Sequence, residues 1–305
     1  MIKHDKIVIE RLLARKEKNQ KDKYKIGLII EGGGMRGAFS GGVMVGLEKL
    51  GLTEAFDYVY ASSSGSCAGA YFLSKQTELG ASVYYDDLDG FKFIKPWKIS
   101  RAADIDYLCD TIFRLKKKLN ISKIRNNKSI FKIFVADADS GDCRYYTNRD
   151  KVDLIQVIKA SCALPVFYNK AVTIGSNEHM DGRIGKSLPI EDAITDGCTD
   201  VLVVTTVPEN YHEATENVIV SNFKKLLMRN LSIQYRNKYR GNRQFDYNES
   251  LDVVFGRIKI HRKINIYTIS PEYLVRKFES RHNKLKEIVD HGTLEAFRAF
   301  ILEKK

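Results

Sequence analysis

Two runs in this chain, Gly27-Leu28-Ile29-Ile30 and Val201-Leu202-Val203-Val204, contain no polar residue. A strand with one wet face alternates apolar and polar residues. An unbroken apolar strand is one covered on both faces. Strand-like runs recur at Ile26–Ile30, Tyr58–Ala61, Ile130–Ala136, Val201–Thr206 and Ile264–Ile269. Helix-like stretches at Ala38–Leu50, Ser66–Lys75, Asp104–Leu119, Lys151–Ala160 and Pro189–Asp196 separate them. This alternation predicts an α/β protein: a three-layer α/β/α sandwich with a mainly parallel sheet.

Residues 24–210 carry that pattern. Residues 1–23 read as a charged arm or helix. Residues 211–305 read as a basic helical C-terminal extension packed on the core, closed by one strand and two helices at 271–289 and 292–303. Lys and Arg number 50 against 38 Asp and Glu, a net charge of +12. Such an excess draws a protein toward anionic surfaces, whether lipid head groups or nucleic acid. No zinc-finger or RNP pattern supports nucleic acid. No run reaches the roughly 20 apolar residues that cross a bilayer. Ile7-Val8-Ile9 is cut off by Glu10 and Arg11, so no secretory signal is expected. The five cysteines are scattered without a C-x-x-C pair, as free thiols in a reducing compartment would be. A cytoplasmic protein, peripheral at the membrane, without metal or other cofactor, is the expectation.

Chemistry concentrates in two short stretches. Glu31-Gly32-Gly33-Gly34-Met35-Arg36-Gly37 joins the first strand to the first core helix. Three glycines leave backbone N–H groups bare, which makes an anion cradle or oxyanion hole. A P-loop needs a Gly-Lys-Ser/Thr ending, which is missing. Gly32, Gly34 and Gly37 satisfy G-x-G-x-x-G, but no acidic residue follows the second strand as a dinucleotide fold wants. The second stretch, Ala61-Ser62-Ser63-Ser64-Gly65, puts Ser63 on a strand-to-helix turn, where a helix N-terminus favours developing negative charge. A competing frame, Gly65-Ser66-Cys67-Ala68-Gly69, would make Cys67 the nucleophile but sets it one turn inside the helix. For a base, Asp181 in His179-Met180-Asp181-Gly182-Arg183 can present a carboxylate to a hydroxyl. A Ser63-Asp181-His triad with a later histidine fits the α/β-hydrolase chain order, although barely 60 residues precede Ser63.

Taken together, these stretches resemble the bacterial-type patatin-like phospholipases, Ser-Asp dyad lipid acyl hydrolases. Glu31 to Gly37 is similar to the family's G-G-G-x-R-G motif, and Ala61 to Gly65 stands where its G-x-S-x-G elbow does. Ala160-Ser161-Cys162-Ala163-Leu164-Pro165 is similar to the helix and loop before the base. Met180-Asp181-Gly182, followed by Leu188-Pro189-Ile190, resembles the D-G-[GA] motif. The resemblance covers roughly residues 24–208. It implies a patatin-like sandwich and metal-independent hydrolysis of phospholipid or related lipid esters. Ser63 would be nucleophile, Asp181 base, and Gly32, Gly33 and Gly34 the oxyanion hole. Gly37, Gly65 and Gly182 would support the motifs. Arg36 is read as a brace of the loop or a contact to an anionic substrate group, and Arg183 as a cation that either lowers the basicity of Asp181 or binds a lipid phosphate. Ala61 replaces the elbow glycine and Arg183 the third residue of the base motif. These departures motivate the alternative, a weak or inactive lipid- or membrane-binding protein on the same fold.

Two basic runs, Arg114 to Lys132 and Lys224 to Arg243, interleave cations with apolar residues. Either is read as a membrane-lying segment or as a helix packed on the core.

Overall fold

A computed structural model describes residues 5–18, 22–98, 101–182, 188–214, 217–240, 243–258 and 264–301. In chain order the strands are β1 (Ile26–Ile30), β2 (Tyr58–Ala61), β3 (Ile130–Asp137), β4 (Cys143–Thr147), β5 (Val172–Ile174), β6 (Asn177–Asp181), β7 (Asp200–Val204) and β8 (Asn265–Ile269). They form one sheet in the order β5-β6-β3-β2-β1-β7-β8, with β4 also paired to β3. β3, β2, β1, β7 and β8 run parallel. β4, β5 and β6 join antiparallel. β1 leads to β2 on one side and lies against the late strand β7 on the other. The carboxyl end of β1 is therefore a topological switch point, where open α/β sheets bind ligands.

The helices are α1 (Ile7–Lys18), α2 (Gly37–Lys49), α3 (Ser64–Leu73), α4 (Thr77–Ser82), α5 (Ile121–Asn126), α6 (Leu154–Cys162), α7 (Pro165–Tyr168), α8 (Ile190–Thr195), α9 (Val218–Leu227), α10 (Ile233–Arg240), α11 (Arg243–Val254) and α12 (His282–Ile301). Wider π-type turns occupy Val83–Asp87 and Tyr107–Lys116. β1 and β7 are buried along their whole length, as their unbroken apolar sequences require.

The first and last helices, α1 and α12, belong to the core. α1 buries Val8, Ile9 and Leu12 completely or nearly so. Each such side chain contributes roughly 1.5–3 kcal/mol, more than a solvated arm could gain. Arg11 pairs at 2.6 Å with Asp200, which is fully buried and also accepts from Asn265 Nδ2 at 2.8 Å. At the other end, β8 completes the sheet. The closing segment holds one long helix, α12, in place of the two expected from sequence. Gly292 lies in its middle because α12 crosses α2 so closely that no side chain fits there. A Cβ at Gly292 would fall on the Phe39 carbonyl oxygen, and one at Gly42 on that of Val289.

The first basic run is part of the fold. Ile112, Phe113 and Leu119 are buried. Arg114 pairs with Asp153 at 2.5 Å, Lys117 with Asp86 at 2.8 Å and Lys132 with Asp196 at 2.7 Å. Arg125 donates to the Asp150 carbonyl at 2.7 Å. These four cations tie the run to the fold, while Lys118, Lys123 and Lys128 stand exposed. In the second run Met228 and Tyr235 are buried while Phe223 and Leu226 stand exposed. Residues 241–242 lie outside the described residues.

Candidate active site

β1 ends at Ile30, and Glu31 fixes the path of the glycine turn. Its carboxylate is buried and accepts from the Thr206 N–H at 2.6 Å, the Thr206 hydroxyl at 3.1 Å and the Tyr247 hydroxyl at 2.5 Å. One side chain thus ties the turn to the end of β7 and to α11. The turn then presses against the next crossover. A Cβ on Gly32 would lie 2.5 Å from the Ser62 carbonyl oxygen and 2.7 Å from Ser63 Cβ. Gly37 is crowded by Ser64 Oγ, Gly65 by the backbone of Ile30 and Glu31, and Gly182 by the backbone of Phe134 and Val135. Each admits hydrogen only.

Ser63 follows β2 by two residues and caps α3. Its backbone sits at φ 52, ψ −134, a strained conformation for a residue with a Cβ. Such strain costs of order 1–3 kcal/mol and persists only where the surroundings enforce it. The enforcement is visible: Ser63 N–H donates to Ser161 Oγ at 2.9 Å, and that hydroxyl donates to the Phe134 carbonyl at 2.7 Å. Ser63 O accepts from Ser66 Oγ at 2.6 Å.

Asp181 ends β6 and is fully buried. Its N–H donates to the Ala163 carbonyl at 3.1 Å, and it lies opposite Val135 of β3. Ser63 and Asp181 are 118 positions apart in sequence. They are nevertheless anchored to Ser161 and Ala163, two residues apart at the C-terminal end of α6. Between these anchors, the Cys162 thiol is pushed well up, first by its hydrogen bond to Cys67 and then by burial, with Asp181 adding to the effect. Cys67 and Cys162 lie Sγ to Sγ at 3.7 Å. Cys67 is one turn inside α3, where its thiol meets the Cys162 thiol and also reaches the Ser63 carbonyl at 3.9 Å.

Of the glycine trio, Gly33 departs from expectation. Its N–H already donates to Ser64 Oγ at 2.8 Å. The N–H groups of Gly32 and Gly34 make no hydrogen bond among the described residues. Gly34 takes φ 61, the left-handed conformation that glycine adopts without penalty. Arg36 donates Nε to the Val275 carbonyl at 2.8 Å and lies over the Tyr211 ring at 5.6 Å. It braces the turn against the C-terminal segment. Arg183 lies outside the described residues.

No histidine joins this pair among the described residues. His212 faces Asp252, and His282 contacts the Tyr85 carbonyl and Asp89. His291 stacks on Tyr273. His179 is fully buried, bonds the Tyr146 hydroxyl at 2.9 Å, and is held neutral by burial, which lowers its proton affinity. His261 lies outside the described residues. Among the described residues one group could offer metal ligands, Glu272, His291 and Glu295. Arg298 Nη1 already donates to both carboxylates, at 2.7 and 2.6 Å, and supplies the positive charge there.

From Ser63 a channel runs between α2, α3, α4 and the π-type turns. It is lined by apolar side chains such as Met44, Tyr71, Leu108 and Phe113, with Ser63, Ser64 and Cys162 in its wall. It encloses about 850 Å³, part of it open to solvent. A cleft with so apolar a lining suits a hydrocarbon chain more than a polar ligand.

A sequence model of the patatin-like phospholipase family matches residues 28–194. The chain belongs to this family. The matched span runs from β1 to α8 and includes the glycine turn, the Ser63 elbow and Asp181. Among curated proteins, the uncharacterized protein YjjU of Escherichia coli strain K12 is 25% identical over 193 residues, which is 62% of this chain. The alignment spans 54% of that relative, about half its length. Among solved structures, VipD from Legionella pneumophila superposes with a TM-score of 0.53 at 13% identity, over 92% of this chain and 67% of that one. Identity that low speaks for the fold alone. The patatin-like α/β fold expected from sequence is thereby shown. Among the described residues, no helix is long and apolar enough to cross a membrane.

Ser161 and Glu31 are the positions that motif reasoning leaves without a role. Ser161 stands in a recognised stretch, but nothing in sequence shows that its hydroxyl receives the Ser63 N–H. Ser161→Ala should cut turnover of a soluble ester about 10-fold or more with little change in KM, because it frees a strained backbone without touching substrate. Steady-state kinetics with Ser161→Thr as the rescuing variant check this. An unchanged kcat would make Ser161 a packing residue.

Proposed function

We propose that the protein hydrolyses ester-linked acyl chains of phospholipids or related lipids through a Ser63-Asp181 dyad. The observation that carries this reading is the strained Ser63 at the wall of an apolar channel, anchored beside the segment that anchors Asp181. In the reaction, Asp181 accepts the Ser63 hydroxyl proton as Oγ attacks the ester carbonyl. The oxyanion is met by the N–H groups of Gly32 and Gly34, aided by the N-terminal dipole of α3. The proton passes to the departing alcohol and leaves an acyl-Ser63 ester, with the acyl chain in the channel. Asp181 then takes a proton from water, whose oxygen attacks the acyl carbonyl. Fatty acid leaves and Ser63 Oγ regains a proton.

A fluorophosphonate probe should label Ser63 covalently, and mass spectrometry of the adduct checks the site. Labelling at another residue, or none in protein that cleaves esters, would overturn the assignment. Activity should persist in EDTA, since this chemistry routes no step through a metal. Loss on chelation, restored by one divalent ion, would show that a metal takes part.

A further inference from the structure

We propose that the Phe91–Trp97 turn, the Phe278 loop and the outer face of α9 form one docking surface for an anionic lipid bilayer, set around the mouth of the acyl channel. The inference rests on the lipid-hydrolase reading above and adds where the substrate's membrane sits. Phe91 and Trp97 are 64% and 62% exposed, with ring centroids 5.2 Å apart. Phe278 is 41% exposed, and on α9 Ile219, Phe223 and Leu226 are more than half exposed. Large apolar groups scattered singly need no explanation, but a contiguous patch marks an interaction surface.

Phe167 is what joins the three patches. Its carbonyl accepts the Ala103 N–H at 2.9 Å, and Ala103 is bridged to Ile94 of the aromatic turn. Its ring lies 4.6 Å from that of Phe278. The short helix α7, which contains Phe167, packs on α9, and the neighbouring Asn169 side chain donates to the Leu227 carbonyl at 2.8 Å. Phe93, Ile94, Phe167 and Phe278 also line the channel. Each exposed patch is thus the outer side of an element whose inner side forms the channel wall or packs against it.

Charge selects the occupant. From Phe91 to Arg101 the sequence has four cations, Lys92, Lys95, Lys98 and Arg101, and no acid. Lys92 and Lys95 are paired with Asp89 and Asp104. Lys98, Arg101 and, beside Phe278, Arg276 are exposed and make no ion pair among the described residues. Aromatic groups that dip into the acyl boundary and cations that meet anionic head groups are the two elements of interfacial binding. A protein partner on this face would cover the channel mouth. A bilayer there would let an acyl chain enter without crossing water.

Trp97 is the chain's only tryptophan, so its emission reports on this surface alone. The intact protein is mixed with vesicles of ether-linked phosphatidylcholine, which it cannot hydrolyse, with or without about 30 mol% ether-linked phosphatidylglycerol. The expected result is a blue shift of Trp97 emission and co-sedimentation, both stronger on the anionic vesicles. Phe91→Ser/Trp97→Ser should lower partitioning about 10-fold or more, and Lys98→Glu/Arg101→Glu should erase the anionic preference. Both variants should keep wild-type turnover of a water-soluble short-chain ester. Unchanged Trp97 emission on both vesicles in protein that cleaves the soluble ester would overturn the docking surface and leave the hydrolase reading standing. Trp97 insertion in protein that cleaves no ester would do the reverse.

Discussion

Ser63→Ala should leave a folded protein whose release of fatty acid from phospholipid falls about 10,000-fold or more, to background. The substitution removes one oxygen and keeps the Cβ, so the strained turn at φ 52 is retained. The anchors of that turn, Ser161 Oγ and Ser66 Oγ, bond the Ser63 backbone and stay in place. Stability should therefore move by no more than about 0.5 kcal/mol, as at any site where no buried contact is lost. Loss of turnover at constant thermal stability would separate a nucleophile from a structural serine. Asp181→Asn should give a comparable loss, because attack on the ester and attack on the acyl-enzyme depend on the same carboxylate. Combining the two should cost little beyond either alone, since the residues act as one unit. Lipid products resolved by mass spectrometry, with a melting curve on the same preparation, are the measurements. Full turnover by folded Ser63→Ala would end the dyad proposal.

The parallel part of this fold is legible because its physics is local. Strands buried on both faces must be apolar throughout, and β1, β2, β3, β7 and β8 fall within a residue or two of the runs seen in sequence. β4, β5 and β6 escape such a reading for the converse reason. Cys143–Thr147 is only partly covered, and Asn177–Asp181 begins with two exposed residues, so neither shows a continuous apolar run. In the sequence reading the closing helix breaks before Gly292, whereas α12 runs through it. The cause of that glycine is the partner helix, which no reading of one segment contains. The same limit applies to the site. The glycine turn, Ser63 and Asp181 announce themselves by residue type and neighbours. The roles of Glu31, Ser161 and Tyr247 arise only when chain segments up to 216 positions apart meet. The exposed aromatics of 91–97 do not stand out in sequence. Charge density points instead to Arg114–Lys132, several of whose cations the fold pairs internally.

Gly42→Ala should be among the most damaging single-methyl changes in the protein. The new Cβ would overlap the Val289 carbonyl oxygen and lie 2.8 Å from the carbonyl carbon and 3.0 Å from Cα. All three are backbone atoms of the 20-residue helix α12, so no rotamer change relieves the clash. The helices must separate, which opens a core that includes Phe39, Val43, Leu285, Ile288 and Phe300 and strains the bond from Thr293 Oγ1 to the Gly42 carbonyl at 3.0 Å. Overpacking costs about 1–3 kcal/mol and more where nothing yields. Alanine's better helix propensity returns about 1 kcal/mol. The clash wins, with a net loss of roughly 2–3 kcal/mol and a melting temperature lower by about 3–5 °C. Gly90→Ala is the contrast: φ is 58 and nothing lies within 4 Å, so only the left-handed backbone is penalised, at about 1–2 kcal/mol. Gly292→Ala should match Gly42→Ala, because its Cβ meets the Phe39 carbonyl from the opposite side. The double variant should lose less than the sum, since helices already forced apart by one methyl make room for the other. Because α2 grows directly out of the glycine turn, activity should fade at the lower temperature where this crossing opens. A Gly42→Ala protein with wild-type melting behaviour would mean that the two helices do not approach as described.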